Sequence, residues 1–222
     1  IPNYIDLKRY KKNGGYIIAQ KIKNGEISNE DILKSLNDSG LKGKGGAGFP
    51  TGKKWEIVSS YKGKKFVAVN GDEGEPGTFK DRSYLENDPH RFLEGALIAS
   101  YFIDANKVYI YMRDEYPAVI KILNEEIKKL EEEKFIPKNY FIVRRGAGAY
   151  ICGEESAMIE SIEGKRGLPR HRPPYVAEVG LFGCPTLTNN LETLFWIRDI
   201  IEKGPRWFAD NGIAGKKGFH SF

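Results

Sequence analysis

The sequence predicts an α/β fold in which a mostly parallel β-sheet is flanked by helices. Runs rich in β-branched and aromatic residues predict strands over residues 65–69, 107–112 and 140–143. Apolar residues at helical spacing predict helices over residues 89–103 and 117–134, between the strands. Because a strand followed by a helix of this length usually returns to the sheet as a parallel neighbour, the alternation indicates a layered α/β domain.

Further helices are expected on both sides of this alternating region. The first covers residues 28–37, with Ser28 as its N-cap and Gly40 as the residue that ends it. A second helix, over residues 54–60, leads into the first strand, and a last helix covers residues 189–202.

Composition indicates a folded domain and excludes several classes of protein. Of the 222 residues, 40% are hydrophobic, yet no apolar run approaches the length of a membrane span and no signal peptide is visible. The two cysteines, Cys152 and Cys184, are too few for a disulfide framework or for a four-ligand iron–sulfur cluster. We therefore expect a cytoplasmic protein that does not insert directly into a membrane and has no metal site of its own. Because the chain begins at Ile1 and ends without a closing helix, we also expect a piece of a longer protein.

The net charge of +5 raises the question of nucleic-acid binding. The 35 basic residues are interleaved with 30 acidic ones and form no long basic run. A moderate positive excess suits small phosphorylated ligands equally well. We expect no nucleic-acid partner.

The most informative segment is a glycine-rich loop over residues 43–55, GKGGAGFPTGKKW. Five glycines fall between Gly43 and Gly52, and glycine allows a loop to place its backbone N–H groups against a phosphate. Gly43, Gly45 and Gly48 match the spacing of the dinucleotide-binding fingerprint. That fingerprint lies between a strand and a helix, however, whereas here a helix is predicted before the loop. A phosphate-binding loop of another kind and a plain flexible surface loop both remain open.

Two segments with acidic side chains, residues 70–77 and 144–155, follow predicted strands. Because the carboxyl ends of parallel strands lie at the same edge of a sheet, both segments should project there, beside the glycine-rich loop. The first segment is either a plain acid-rich turn or a set of acceptors for ribose hydroxyls and ring N–H groups, and it lacks the spacing of a calcium loop. Glu154 and Glu155 suit a helix start without any ligand, and Cys152 suits a small buried side chain.

Two later segments leave a similar choice. Residues 170–175, RHRPPY, are either an extended surface loop or a wall over a nucleotide, with Tyr175 stacked on a base and Arg172 near phosphate. Asn189 and Asn190 either cap a helix or close a phosphate site. Together, these segments and the glycine-rich loop favour one rim that binds a large nucleotide-like cofactor.

Four segments resemble the family of FMN/NADH-binding subunits of respiratory complex I: GKGGAGFPTGKKW (43–55), NGDEGEPGT (70–78), RGAGAYICGEE (145–155) and IEGKRG (162–167). The same family includes the diaphorase subunits of NAD-linked hydrogenases and the beta subunit of NAD-dependent formate dehydrogenases. Segments 171–175 and 185–196 look most like the formate dehydrogenase branch. The resemblance implies a Rossmann-like, mostly parallel sheet flanked by helices.

The resemblance also implies which residues bind FMN. Backbone groups of the glycine-rich loop, with one lysine, would hold the cofactor, and polar residues after the first strand would meet the flavin ring and its ribityl chain. The remaining contacts would come from the segment after the third strand and from the asparagine pair. The predicted FMN contacts are Gly43, Gly45, Gly46, Lys54, Asn70, Asp72, Glu73, Gly153, Glu154, Asn189 and Asn190.

A second group of residues is implied for NAD(H). Phe49 and Tyr175 would flank the adenine, and Glu75, the predicted catalytic residue, would lie beside the nicotinamide. Glu155 would lie near the adenosine ribose, where its charge would repel a 2′-phosphate and favour NAD over NADP. Arg172 takes a place often held by lysine, and it keeps the charge but changes its geometry.

The function implied by the resemblance is hydride transfer between NAD(H) and FMN, coupled to an iron–sulfur chain in partner subunits. On this interpretation residues 1–32 are an N-terminal extension or linker, and residues 33–222 form the FMN- and NADH-binding domain. The ubiquitin-like domain and the helical domain with a 4Fe–4S cluster would lie beyond the chain. Complex I, a hydrogenase and a formate dehydrogenase are all possible parents, with formate dehydrogenase preferred; a non-catalytic docking fragment is the alternative from another class.

Overall fold

A computed structural model of the chain describes residues 3–219 and 221, and these residues contain a four-stranded, fully parallel sheet. Its strands lie in the order β3-β2-β1-β4, and their bounds are β1 Phe66–Gly71, β2 Lys107–Met112, β3 Phe141–Arg145 and β4 Thr186–Asn190. The predicted α/β fold with a mostly parallel sheet is confirmed.

Helices cover both faces of the sheet. They are α1 Leu7–Lys12, α2 Ile17–Lys23, α3 Asn29–Ser39, α4 Thr51–Ser60, α5 Lys80–Asn87, α6 Pro89–Ile103, α7 Pro117–Glu132, α8 Glu155–Ile162, α9 Leu191–Phe195, α10 Ile197–Lys203 and α11 Pro205–Ala209. Short 3₁₀ turns cover Tyr150–Gly153 and Leu181–Gly183.

Alternate residues of β1, β2 and β3 contribute to two separate cores, because successive side chains point to opposite faces of a sheet. Val67 and Val69 of β1 join the larger core, which also contains the buried faces of α4, α6, α7 and α9. Phe66 and Ala68 join the smaller core beneath α8. Both faces of β1 are therefore buried, as expected of a central strand in a parallel sheet.

Most predicted elements agree with the structure, and α6 and β2 have the predicted bounds. The prediction of a helix starting at residue 189 was wrong, because Thr186–Asn190 instead forms β4 and pairs in parallel with β1. The buried residues Thr186 and Thr188 are β-branched and suit a strand, and the helix begins only at Leu191. Helix α3 precedes the glycine-rich loop, as predicted, so the loop is not the strand–turn–helix fingerprint.

The N-terminal helices α1 and α2 pack on the same core as the sheet, through buried residues that include Leu7, Tyr10 and Tyr16. The carboxylate of Glu94 is buried in α6 and accepts hydrogen bonds from the Tyr10 hydroxyl at 2.6 Å and the Tyr16 amide at 2.8 Å. The boundary at residue 32 remains a prediction, and the structure adds that the segment before it is tied to α6.

A second buried carboxylate, Glu126 of α7, also holds the N-terminal segment. It accepts hydrogen bonds from the Tyr4 hydroxyl at 2.7 Å and the Leu7 amide at 3.0 Å, and it contacts the buried imidazole of His90 at 2.7 Å. Burial opposes its ionisation, but hydrogen bonds from His90, Lys129 and Tyr4 lower the pKa of Glu126 to about 2.

Helices α6 and α9 touch backbone to backbone at Gly95. A Cβ atom added to Gly95 would lie 1.9 Å from the carbonyl oxygen of Leu194, which is far inside van der Waals contact. Since α9 directly follows Asn189 and Asn190, this close approach also fixes the end of β4.

We predict that Gly95→Ala lowers the free energy of unfolding by about 3 kcal/mol, because the added methyl group forces α6 and α9 apart. The effect would be measured by urea unfolding followed by far-ultraviolet circular dichroism. Lys128→Ala, on the exposed surface of α7, is the control and should change stability little. Wild-type stability in Gly95→Ala would contradict the close packing of these helices.

A second prediction concerns acid stability. Because the folded-state pKa of Glu126 is below its ordinary value of 4.5, its charge stabilises the fold above pH 4.5, and this contribution is lost as the pH falls from 4.5 towards 2. Glu126→Gln should reduce stability at pH 7 by about 3 kcal/mol and weaken the fall in stability over that acid range. Unfolding curves at several pH values test this, with the exposed Glu132→Gln as control. Identical pH dependence in Glu126→Gln and the unmodified chain would refute it.

Candidate functional site

Two adjoining clefts lie at the carboxyl edge of the sheet, where loops from several elements meet. The first cleft has a volume of about 680 Å³ and the second about 400 Å³. The two clefts share five lining residues, which are Gly45, Asn70, Gly153, Glu154 and Asn190. Clefts outside the carboxyl ends of parallel strands are the usual ligand sites of open α/β sheets.

The glycine-rich loop forms one wall of both clefts and is held at its ends. The Gly43 amide donates to the Phe49 carbonyl at 2.9 Å, and the Lys44 amide donates to the Thr193 hydroxyl at 2.9 Å. Among the described residues, the amides of Gly45 and Gly46 donate no hydrogen bond. A loop with fixed ends and free donors at its tip is suited to bind an anion.

Glycine is needed at the tip of this loop. Gly46 has a φ of 104°, a conformation that side-chain-bearing residues rarely adopt, and a Cβ atom there would point into open space. A Cβ atom on Gly45 would lie 3.4 Å from the Cβ atom of Asn190 across the loop. The backbone of the loop is therefore open to a ligand on one side and closely packed on the other.

The segment after β1 is tied to the segment after β3 by Asn70. Its side-chain amide donates to the Gly153 carbonyl at 2.8 Å, and its side-chain oxygen accepts from the Asp72 amide at 3.0 Å. Burial raises the pKa of Asp72, although the nearby charge of Arg113 opposes this shift. One asparagine thus positions both acidic segments that the sequence placed at this edge.

Glu73 and Glu75 differ in environment although both line the second cleft. Glu73 is buried, and its carboxylate accepts a hydrogen bond from the Asp81 amide at 2.9 Å. Glu75 is exposed at the mouth of the cleft. Glu73 is therefore fixed by the fold, whereas the Glu75 side chain is accessible to a ligand.

The start of α8 brings two adjacent carboxylates, Glu154 and Glu155, into the first cleft. Glu154 is the N-cap, and its carboxylate accepts from the amides of Ser156 and Ala157. Burial opposes ionisation of Glu154, but the Ser156 hydrogen bonds, the Ala157 amide and the charge of Arg172 lower its pKa. Arg172 is also ion-paired with both carboxylates, at 3.4 Å from Glu155.

Glu155 is held by a three-membered polar cluster that links α4, α8 and β4. The Lys54 ammonium lies 3.1 Å from the Glu155 carboxylate and donates to the Thr188 hydroxyl at 2.8 Å, and this hydroxyl donates to Glu155 at 2.6 Å. Although burial opposes ionisation, the Lys54 charge and these hydrogen bonds lower the pKa of Glu155. Glu155 therefore presents a fixed negative charge at neutral pH.

Two large aromatic side chains remain exposed in the first cleft. Phe49 is 47% exposed and Tyr175 is 58% exposed, and both line this cleft together with Arg172. Exposed aromatic rings inside a cleft offer apolar surface on which a planar ring system can stack.

The asparagine pair at the end of β4 is strongly constrained. The side-chain oxygen of Asn189 accepts from the Trp55 indole at 3.0 Å. Asn190 caps α9 by accepting from the Glu192 amide at 3.0 Å, and its side-chain amide donates to Asp81 at 3.1 Å. The cap predicted for this pair is confirmed for Asn190, while Asn189 lies in β4.

Every residue predicted for the site lines one or both clefts. The first cleft alone holds Gly43, Phe49, Lys54, Glu155, Arg172, Tyr175 and Asn189; the second alone holds Gly46, Asp72, Glu73 and Glu75; both hold Gly45, Asn70, Gly153, Glu154 and Asn190. The structure thus brings them together, and the role of each residue remains a prediction. The described residues contain no group of His, Cys, Asp or Glu side chains that could hold a metal ion.

The predicted site residues omitted several polar side chains of the clefts, among them Thr188, Lys80 and Asp81. The threonines at 186 and 188 flank Leu187 and are compatible with a strand, but a run of three residues is too short to predict one, and no element was predicted there. The Lys80–Asp81 pair carries no distinctive local pattern, and its importance depends on partners distant in sequence.

The parallel sheet, the loop with free amides and the exposed aromatic rings define an α/β domain that binds a nucleotide-like cofactor. Residues 36–199 match the family model described as the Nuo51 FMN-binding domain. The chain belongs to this family of FMN-binding domains from complex I-type subunits. The predicted resemblance is confirmed, as is FMN as the cofactor of the domain.

Known relatives agree with this assignment. A subunit of the NADH-quinone oxidoreductase of Aquifex aeolicus (strain VF5) is 46% identical over 229 residues, covering 98% of this chain and 53% of the relative. The corresponding NADH-quinone oxidoreductase protein of Rhizobium meliloti (strain 1021) is 43% identical, covering 96% and 52%. The chain thus spans about half the length of the curated relatives that it matches.

A solved structure supports the fold. An NAD⁺-reducing [NiFe]-hydrogenase in the H₂-reduced state has a TM-score of 0.80 to this chain at 41% identity, covering 86% of this chain and 34% of the matched one. Within the part of the chain that the structure describes, no helix has the length and apolar character needed to cross a membrane.

The Lys54–Thr188–Glu155 cluster leads to a stability prediction. Thr188→Val removes a hydroxyl that both accepts and donates a hydrogen bond, and it should lower the free energy of unfolding by about 1–3 kcal/mol. Thr51→Val is the matched control, because the buried Thr51 hydroxyl has no hydrogen-bond partner among the described residues and valine should be tolerated there. Equal effects of the two substitutions in urea unfolding would contradict the role assigned to Thr188.

Proposed function

We propose that the chain is a flavoprotein module that binds FMN and NAD(H) in the adjoining clefts and aligns them for hydride transfer. One observation carries the proposal: the free amides of the glycine-rich loop lie in the same clefts as polar side chains from three other places. These places are the end of β1, the end of β4 and the loop after β3. Membership of an FMN-binding family supplies the identity of the cofactor.

The residues present are suited to FMN. The amides of Gly45 and Gly46, next to the Gly43 anchor, are the proposed donors to its phosphate, and Lys54 adds positive charge to the first cleft. Asn70, Asp72 and Glu73 are proposed to meet the flavin ring and ribityl hydroxyls from the far wall. Gly153, Glu154, Asn189 and Asn190 complete the enclosure between the two clefts.

NAD(H) is proposed to enter through the first cleft. Phe49 and Tyr175 offer exposed rings for the adenine, and Arg172 supplies a guanidinium for the pyrophosphate. Glu75 is the proposed catalytic residue, placed at the mouth of the second cleft beside the nicotinamide. Glu155 is proposed to face the adenosine ribose, where its fixed negative charge disfavours a 2′-phosphate.

Bound FMN would supply hydride exchange with the nicotinamide and single-electron transfer to iron–sulfur partners. The chain itself contributes binding and alignment, and no side chain has to act as a nucleophile or general base. Several groups of the site suit this role because hydrogen bonds already fix them in place, so they need not rearrange when the cofactor binds. They are the two constrained asparagines, the buried Glu73 and the anchored loop.

The parent assembly is a narrower proposal. Segments 171–175 and 185–196 favour the beta subunit of an NAD-dependent formate dehydrogenase, whereas the names of the curated relatives favour an NADH-quinone oxidoreductase. The structural neighbour favours the diaphorase part of an NAD-linked hydrogenase. In each case the proposed partners are iron–sulfur subunits in the cytoplasm.

Purification of the native assembly through a tag on this chain, followed by formate-, hydrogen- and quinone-linked assays, would distinguish the three parent assemblies.

The proposed hydride-transfer site can be tested by visible spectroscopy. The chain, mixed with FMN and desalted, should retain the flavin spectrum, and NADH should bleach it in the absence of oxygen much faster than NADPH. A folded chain that retains no flavin would overturn the enzyme function and leave the docking-fragment alternative.

We predict that Glu155→Gln reduces the preference for NADH over NADPH by about tenfold, corresponding to about 1.4 kcal/mol, because a charge that repels the 2′-phosphate is removed. The ratio of anaerobic flavin-bleaching rates with the two nucleotides is the measurement. Glu160→Gln, on the same helix but outside both clefts, is the matched control. An unchanged ratio in Glu155→Gln would exclude the assigned role.

A further inference from the structure

We propose that Lys80 and Asp81 are positioning residues of the FMN site, because together they fix Asn190 and Glu73, two side chains that line the second cleft. The proposal rests on the function proposed above. Both residues line the second cleft at the start of α5, and neither belongs to the loops that carry the family resemblance.

Asp81 is the centre of this arrangement. One carboxylate oxygen accepts from the Lys80 ammonium at 2.8 Å, and the other accepts from the Asn190 side-chain amide at 3.1 Å. The backbone amide of Asp81 donates to the Glu73 carboxylate at 2.9 Å. One residue therefore connects the end of β4 with the acidic segment after β1.

Lys80 completes the hold on Asn190. Its ammonium donates to the side-chain oxygen of Asn190 at 3.2 Å and also lies 3.2 Å from the Glu192 carboxylate. Both ends of the Asn190 side chain are thus fixed, the amide by Asp81 and the oxygen by Lys80. The Glu192 amide at the start of α9 also donates to the Asn190 oxygen, so the pair of charges and the helix cap together set the orientation of Asn190.

Both members of this pair are ionised at pH 8. Burial raises the pKa of Asp81 to about 6, even though Lys80 opposes the shift. Burial disfavours the charged form of Lys80, but Asp81 and Glu192 outweigh it and raise the pKa of the ammonium. At pH 8 the Lys80 ammonium compensates the Asp81 carboxylate, so the pair adds no net charge to a cleft that also contains Asp72, Glu73 and Glu75.

The shape of the carboxylate allows a sharp test. Asp81→Asn keeps the size of the side chain but replaces one carboxylate oxygen with an NH₂ donor, so either Lys80 or Asn190 loses the oxygen that it contacts. We expect FMN affinity at pH 8, measured by flavin fluorescence titration, to fall about tenfold, equivalent to about 1.4 kcal/mol. The midpoint potential of the bound FMN should also rise, because a nearby negative charge has been removed. Lys80→Gln, which loses the ammonium that contacts the Asn190 oxygen, should weaken FMN binding as well.

Asp199→Asn is the matched control for loss of a buried carboxylate. Asp199 is buried and paired with Arg91 and Lys203, away from both clefts, so the variant should lose stability but keep its FMN affinity. If Asp81→Asn does not fold, the FMN affinity of Lys80→Gln, measured by the same titration, tests the positioning role.

The outcomes distinguish this inference from the function on which it rests. Failure of the unmodified chain to bind FMN overturns the proposed function. If the unmodified chain binds FMN, two results overturn the positioning role alone. One is an unchanged FMN affinity and midpoint potential in folded Asp81→Asn, and the other is an unchanged FMN affinity in Lys80→Gln. An equal loss of affinity in Asp199→Asn also overturns it, because the effect would then follow general stability.

Discussion

The site depends on the parallel pairing of β1 with β4, which sets Asn70 directly beside Asn190 at the carboxyl edge of the sheet. From this position Asn70 holds the Gly153 carbonyl and the Asp72 amide, while Asn190 caps α9 and meets Asp81. Loops distant in sequence are thereby fastened to two neighbouring strand ends. The contact of α6 with α9 at Gly95 stabilises the same edge from behind, since it fixes the helix that follows Asn190.

Electrostatic contacts then determine how these loops present their charges. Most charged side chains of the clefts occur in compensated groups, such as Lys54 with Glu155 and Lys80 with Asp81. Partial burial strengthens these pairings relative to exposed ion pairs, and each pair also fixes a neutral hydrogen-bonding side chain, Thr188 or Asn190. The loop amides of Gly45 and Gly46 are the contrasting feature, because they are free donors among the described residues. This combination suits a site that holds an anionic cofactor in one orientation.

Much of this architecture could be predicted from the sequence because it is encoded locally. The helical spacing of residues 89–103 gave the bounds of α6, and the acidic segments could be placed at the sheet edge once their strands were recognised. β4 could not be predicted in this way, because it is a short edge strand that runs directly into a helix and owes its conformation to pairing with β1. Lys80 and Asp81 were missed for the related reason that their partners Glu73, Asn190 and Glu192 come together only in the folded chain.

The proposed role of the glycine-rich loop is to bind the phosphate of FMN through the free amides at its tip. Hydrogen–deuterium exchange of residues 43–48, with saturating FMN or with riboflavin, which lacks the phosphate, tests this most directly. We expect FMN to slow exchange of the loop amides, whereas riboflavin should protect the segment around Asn70 but leave the loop amides exchanging as in the free chain. Equal protection of the loop by both ligands, or bound FMN without protection of the loop, would contradict it.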